Sequence, residues 1–360
     1  MKERIHYYDF ARGFGIIFVV IGHIDTFYMP FRSLVISFHM ALFLMVSGML
    51  FVETGEENRP YLQNMKKKFT RIIVPYILFS LLAVAIEFVR LALQGVFFWP
   101  HFKALLIAVV TGVGNSSLWF LPALFISEML FLGLRKTQKD YVVIPVIGIL
   151  AGVAVWAKEQ VFSENVWIEN CQITLTRAAF CTLFLCVGYY VRKWVFARTL
   201  PGAVCLLAGV LCLGICVVMN KINPNVDLRS MNWGEFYFFT ASKVKLISAR
   251  IVLYLTASLS GAMAIICVSK VVERFSNQRW HRLFSFLGRN SLIIMATHLD
   301  FHVLHYSMDL AVFLNAFKPS SFLYHSYMLI AVFAVEIVLI YVINRFFPIL
   351  AGRVEKKNIL

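Results

Sequence analysis

Residues 9–51 read DFARGFGIIFVVIGHIDTFYMPFRSLVISFHMALFLMVSGMLF. Two apolar runs meet at a short turn around Met29-Pro30, the pattern of a membrane helical hairpin. Inside it sit Arg12, His23 and His39. An ionisable side chain in hydrocarbon costs about 2.5–3.5 kcal/mol on insertion scales, so each needs a reason to be there. Arg12 and His23 are eleven steps apart. At about 100° per residue those steps close to within about 20° of whole turns and rise about 16 Å. Both side chains are therefore expected on one helix face, Arg12 near a membrane surface and His23 deep. The pair suits a cation at an entrance and an imidazole able to take a proton from a hydroxyl near neutral pH. A competing reading has Arg12 snorkelling to headgroups, with Asp9 neutralising it, and His23 packed as a core histidine.

Working outward, the chain has 360 residues, 60% hydrophobic and 15% charged, and a mean hydropathy of +0.76. Soluble domains sit near 45–50% apolar and about 25% charged. The excess lies in runs of about 20 residues, which predicts a polytopic membrane protein. The net charge of +15 falls in short clusters between apolar runs, so it reads as membrane topology and no nucleic-acid partner is expected. The seven cysteines lie almost entirely within apolar runs and read as small apolar residues. Asp9 and Arg12 interrupt the first apolar stretch and no small-x-small site follows, so the first helix is expected to be retained.

Ten spans are predicted, near 10–28, 33–52, 72–94, 117–134, 141–157, 174–194, 201–219, 246–268, 288–306 and 322–344. With the N-terminus inside, every inner loop carries at least three Lys or Arg, among them Lys66, Lys67, Lys68, Arg71, Arg192, Lys193, Arg279, Arg282 and Arg289. That asymmetry predicts an all-α, polytopic membrane protein: a single bundle of about ten transmembrane helices, with both termini cytoplasmic. No connection is long enough for a separate soluble domain, so residues 1–360 are read as one integral-membrane domain. The longest, near 220–245, is expected to be an outer loop with an aromatic end at the interface.

Five stretches taken together carry a resemblance. DFARGFGIIFVVIGH, FHMALFLMVSGMLF, KKKFTRIIVPY, LWFLPALF and the late GRNSLIIMATH resemble, in the same order over residues 7–300, the membrane acyltransferase family 3, and within it the fucose 4-O-acetylase-like O-acyltransferases. The resemblance implies about ten membrane helices, a cytosolic acyl-CoA donor and transfer to a hydroxyl of a carbohydrate or cell-envelope glycan. It further implies a bacterial protein of the cytoplasmic (inner) membrane, with acetyl-CoA as donor substrate. Arg12 and His23 match the family's paired Arg and His, and His39 and His298 become catalytic candidates.

Other residues are then weighed on their chemistry. Arg71, Lys67 and Lys68 precede Pro75; they offer a guanidinium fork and two point charges to the phosphates of coenzyme A, or they merely obey the positive-inside rule. Trp119 and Phe120 match the LWFL stretch and are candidates for the substrate pocket, or belong to an aromatic belt. Glu128, two turns further on, must pair, protonate or face water, as must Glu87 and Glu336. Ser47-Gly48 reads as a close helix contact. His298, His302, His305 and Asp309 follow at intervals of four, three and four, which predicts one helical face; a metal there is weighed and none is expected, because ligands from one straight helix rarely converge. There is no glycine-rich phosphate loop, nucleophile elbow or cysteine–histidine zinc spacing. The alternative to an acyltransferase is a ten-helix secondary transporter whose buried His, Glu and Arg relay protons.

Overall fold

The structure, a computed structural model, describes residues 5–353 except 26, 97, 138, 161–162, 199, 235–236, 239–241, 244–246, 276 and 314–321, with backbone alone at 137, 237–238, 242–243, 312–313 and 322. Lys2, Arg4, Lys356 and Lys357, which the expected topology also puts on the inner side, lie outside the described residues. In chain order the helices are α1 (Tyr7–His23), α2 (Met29–Thr54), α3 (Tyr61–Lys68), α4 (Val74–Leu93), α5 (Trp99–Thr111), α6 (Phe120–Thr137) and α7 (Asp140–Lys158). They continue with α8 (Val166–Tyr190), α9 (Gly202–Ile222), α10 (Ile247–Phe275), α11 (Gln278–Arg289), α12 (Ser291–Thr297), α13 (Val303–Phe313) and α14 (Phe322–Phe346). A π turn at Phe69–Ile73 carries α3 into α4, and a second follows α8. Two short antiparallel hairpins, β1 (Val226–Asp227) with β2 (Asn232–Trp233) and β3 (Tyr237–Phe238) with β4 (Ser242–Lys243), occupy the long connection.

Among the described residues seven helices are long and apolar enough to cross a bilayer: Met29–Thr54, Tyr61–Leu93, Asp140–Lys158, Val166–Val195, Gly202–Ile222, Ile247–Phe275 and Leu323–Phe346. They coincide with seven of the ten expected spans. The chain is an all-α, polytopic membrane protein. The other three expected spans carry Arg12 and His23, then Trp119, Phe120 and Glu128, then His298, and each is compromised as a simple span. α1 has 17 residues. α6 has 18 and contains Glu128, Arg135 and Lys136. The ninth is broken between α12 and α13. The connection between the third and fourth expected spans contains a helix the periodicity did not single out, the 13-residue α5.

The chain divides into two compact units. The first holds Met1–Thr54, Phe184–Ser291 and Lys318–His325. Its helices alternate as the basic residues predict. At one end the start of α1 and the ends of α2, α8 and α10 meet: the Tyr8 hydroxyl donates to Glu53 Oε1 (3.1 Å), Arg192 pairs with Glu53, the Lys270 ammonium lies 5.1 Å from the Tyr7 ring centroid, and Glu273 Oε1 accepts from the His6 and Tyr7 amides (2.7 and 3.0 Å). At the other end the end of α1 and the starts of α2 and α10 meet the end of α9, where the Asn220 amide donates to the Ser33 carbonyl (3.3 Å) and the Asn223 amide to the Arg250 carbonyl (3.2 Å). The first of these is the unit's basic end.

Close packing inside this unit depends on glycine. A Cβ on Gly48 would stand 1.9 Å from the Leu185 carbonyl oxygen and one on Gly188 2.1 Å from that of Met45. α2 and α8 therefore touch backbone to backbone, as expected of Ser47-Gly48. Small residues permit such contacts where lipid tails remove the hydrophobic drive for helix association.

The second unit holds Gly55–Leu183, Leu292–Phe317 and Ser326–Leu360. α5 folds back along α4, with the Phe88 and Phe102 rings 5.3 Å apart and the Tyr76 hydroxyl donating to the Val109 carbonyl (2.8 Å). Ser127, inside α6, donates to the Ala178 carbonyl of α8 (2.8 Å). Arg135 pairs with Glu57 (3.2 Å) and Asp140 (2.7 Å), fixing the end of α6 beside the start of α7.

Candidate active site

In the first unit the site is built on the α1–α2 hairpin. α1 stops at His23 because Ile24 turns to an extended conformation (φ −83°, ψ 97°). Arg32 then staples the turn, donating from Nε to the Gly22 carbonyl (2.9 Å) and pairing with Asp25 (2.7 Å). The expected span of 10–28 is thus five residues shorter at this end. His23 closes the helix, where the sequence reading had put it deep inside. Arg12 lies two turns into α1, toward the basic end, and both residues remain on one continuous helix as the eleven-residue spacing requires.

His39 is buried on α2, and its Cε1 lies 4.0 Å from where a Cβ on Gly22 would stand. The two histidines are therefore neighbours.

The histidines share one geometry. His23 Nδ1 is 2.8 Å from the Val19 carbonyl, His39 Nδ1 2.8 Å from that of Val35, and His298 Nδ1 2.8 Å from that of Ile294. A carbonyl oxygen only accepts, so Nδ1 must carry the hydrogen in each ring. The neutral ring is then held in the tautomer whose lone pair is on Nε2. Such a second bond fixes both tautomer and orientation, which is what a general base requires.

In the second unit α6 carries two clusters. At its start, Gly112 and Gly114 adopt positive φ (76° and 72°), and a Cβ on Gly114 would stand 2.4 Å from the Trp119 nitrogen. The tight loop presses Trp119 against α8, where the buried Arg177 guanidinium sits 5.4 Å from its ring centroid and donates to the Val113 carbonyl (3.2 Å). Phe120 packs edge-on against Trp119 at 5.9 Å. The Ser117 hydroxyl lies 2.6 Å from both the Met295 carbonyl oxygen and Asp300 Oδ2, and its amide donates to that carboxylate oxygen (3.2 Å). His298 follows α12 and is wholly buried. One residue before it, the Thr297 hydroxyl donates to Oε2 of the buried Glu336 (2.7 Å).

The second cluster is ionic. Lys68 lies between Glu56 Oε2 (2.8 Å) and Glu128 Oε2 (3.0 Å), with Lys67 3.9 Å from Glu56 Oε1. Glu128 thus meets its burial cost by pairing. Lys68 is engaged by two carboxylates, whereas Lys67 and Arg71 keep more of their surface.

The single helical face expected for His298, His302, His305 and Asp309 is not formed. The chain leaves α12 at Thr297, His302 takes a left-handed conformation (φ 56°), and α13 restarts at Val303. Two tertiary bonds hold the break: Ser117 grips Asp300, and His302 Nε2 pairs with Glu87 at 3.1 Å. Asp300 and Arg177 are the residues sequence reasoning passed over. Each had a signal, an acid two places after His298 and an arginine inside the apolar run TLTRAAFC.

The family model for the acyltransferase domain, acyltransferase 3, matches residues 5–345, nearly the whole chain. The chain belongs to the acyltransferase 3 family. It is therefore a multi-pass membrane acyltransferase, and the transporter alternative is set aside. No curated protein and no solved structure matches the chain. In this acyltransferase the five motif stretches fall on α1, on α2, on the α3–α4 helix, at the start of α6 and across α11–α12.

Proposed function

We propose that this acyltransferase moves an acetyl group from cytosolic acetyl-CoA to a hydroxyl of a carbohydrate or cell-envelope glycan, in the cytoplasmic membrane of a bacterium and within the fucose 4-O-acetylase-like branch of its family. The observation that carries the reading is the Nδ1 bond of His23, which presents Nε2 as a base at the end of the helix that also bears Arg12. Nε2 takes the proton of the acceptor hydroxyl as its oxygen attacks the thioester carbonyl. The C–S bond breaks, and the leaving thiolate takes the proton back from the imidazolium. Proton transfer by a positioned group contributes about 10²–10⁴-fold, and holding donor and acceptor together adds the proximity term. His39 orders the His23 end, and the same tautomer makes His298 a second candidate base.

In the first unit Arg12 is the proposed contact for the donor, and in the second Arg71 and Lys67 are separate candidates for its phosphates. Lys68 is proposed to support that region by holding Glu56 and Glu128. Trp119, Phe120 and Glu128 belong to the proposed substrate region.

The test is transfer from labelled acetyl-CoA by the purified protein in nanodiscs, comparing wild type with His23→Ala and Arg12→Ala. His23→Ala is expected to lower the rate about a hundredfold or more with the melting temperature kept. A rate that survives in His23→Ala moves the base to His39 or His298. Failure of the wild type to use any acyl-CoA overturns the proposal.

A further inference from the structure

The amphipathic helix α11 has no part in the chemistry above, yet it has three different sides. One packs on α1: the His281 ring lies against those of His6 and Phe10 (5.8 and 4.9 Å), the Phe284 ring against Phe14 (4.4 Å), and a Cβ on Gly288 would stand 1.9 Å from the Asp9 carbonyl oxygen. These contacts fall on the first turns of α1 in no progressive register, so α11 lies across the start of α1 and not along it. That start is the basic end of the unit, near Lys270 and Arg192.

The remaining two sides are exposed and unlike. Trp280 and Leu283 form an apolar flank. Arg282 and Arg289, seven residues apart, project within about 20° of each other and at least about 100° round from that flank. An interfacial helix turns its Trp and Leu toward the acyl chains, which aims these arginines away from hydrocarbon, toward water. Arg289 is pre-set as well, its Nε bonded to the Ser285 carbonyl (3.0 Å), leaving both terminal nitrogens of the fork to point outward. Arg279 stands at the edge of the same flank. Among the described residues Arg279, Arg282 and Arg289 form no ion pair, unlike Lys68, Arg135 and Arg192.

We infer that the basic flank of α11 is a phosphate-binding surface for the nucleotide end of the acyl donor, a site distinct from Arg12, Arg71 and Lys67, the donor contacts proposed above. Two guanidiniums on one flank match a phosphorylated nucleotide in charge and in the paired geometry of guanidinium with phosphate oxygens. A lipid headgroup offers phosphate to the same arginines, and the zwitterionic and anionic arms of the test below separate it from the donor. This inference rests on the donor being a coenzyme A thioester, as proposed above.

Calorimetry on the full-length protein in zwitterionic nanodiscs tests it, with coenzyme A, 3′,5′-ADP and pantetheine as probes. Arg282→Gln and the double variant Arg282→Gln/Arg289→Gln are expected to weaken coenzyme A and 3′,5′-ADP by about tenfold per arginine, each factor of ten being about 1.4 kcal/mol. Pantetheine binding should not change, and Arg282→Lys should recover part of the loss. Unchanged coenzyme A affinity overturns the inference and leaves the function standing. Equal losses for pantetheine and coenzyme A overturn it in favour of a structural role. A loss that appears only with anionic lipid in the disc assigns the flank to headgroups instead. Wild type that binds none of the probes removes the proposed function itself, and this inference with it.

Discussion

α2 and α9 belong to the same unit and have similar mean hydropathy over their most apolar windows, 2.2 and 2.7, yet 83% of the α2 window is buried against 17% for α9. Hydropathy therefore says that both cross the membrane and nothing about which faces protein. The polar and small residues make the distinction. α2 carries Ser37, His39, Ser47 and Gly48 on different sides of the helix, and all are buried. α9 keeps a single inward stripe, Cys205, Gly209, Cys216 and Asn220, and turns its Leu, Val and Ile outward. A helix that needs protein on every side cannot be all leucine, because close contacts and hydrogen bonds have to come from somewhere. Such a helix is also where an imidazole can be held away from lipid.

The largest effect that would sharpen this contrast is Gly48→Val. Its side chain would meet the backbone of α8, which cannot rotate away as a side chain can. A loss of at least about 3 kcal/mol is expected, seen as aggregation or as the absence of a monodisperse peak in size-exclusion chromatography. A folded, active Gly48→Val protein would mean that α2 and α8 can separate without cost, and the account of α2 as a packed element would fail.

That contact was readable in advance, since a Ser-Gly pair in an apolar run already asks for a close neighbour. The span positions and the motif-bearing helices were equally readable, because bilayer thickness and backbone satisfaction leave a chain of this composition few options. The break at residues 298–302 was not. The run LIIMATHLDFHVLHYSM keeps a helical period throughout, and what ends α12 is Ser117 bonding to Asp300 and Glu87 to His302 from distant parts of the chain. Arg177 escaped notice for a similar reason: its partner is an indole 58 positions away in the sequence. Periodicity records which face a residue is on, while the partners that interrupt a helix are fixed only by tertiary structure. Lys68 shows the limit on charge: from sequence it could serve coenzyme A or topology, and two carboxylates now occupy it.

A middling effect is expected at the contact between α2 and α10. Ser258 donates to the Ser37 carbonyl at 2.6 Å within buried surroundings. Ser258→Ala removes that donor, while the carbonyl keeps its place in the helix ladder. The expected cost is about 0.6–1 kcal/mol, a small fall in melting temperature measured in nanodiscs, with acetyl transfer unchanged. A cost several times larger would mean that α10 is positioned on α2 chiefly by this bond and not by the meeting of Phe38 with Gly261, where a Cβ would stand 2.5 Å from the ring.

The smallest effect separates the two helices most cleanly. Gly214 sits on the outward face of α9, and a Cβ there meets nothing within 4 Å. Alanine suits a helix interior better than glycine does, so Gly214→Ala should leave melting temperature and activity unchanged or slightly raised, within about 0.5 kcal/mol. The same one-carbon addition that α2 cannot accept at Gly48 is then free on α9. Destabilisation by Gly214→Ala would show that the outer face of α9 is not a lipid face: a partner, such as a second copy of this chain, would have to press on it as closely as Leu185 presses on Gly48. The pair of glycines thus reads out which helices the bilayer surrounds and which the protein does, from one substitution in each.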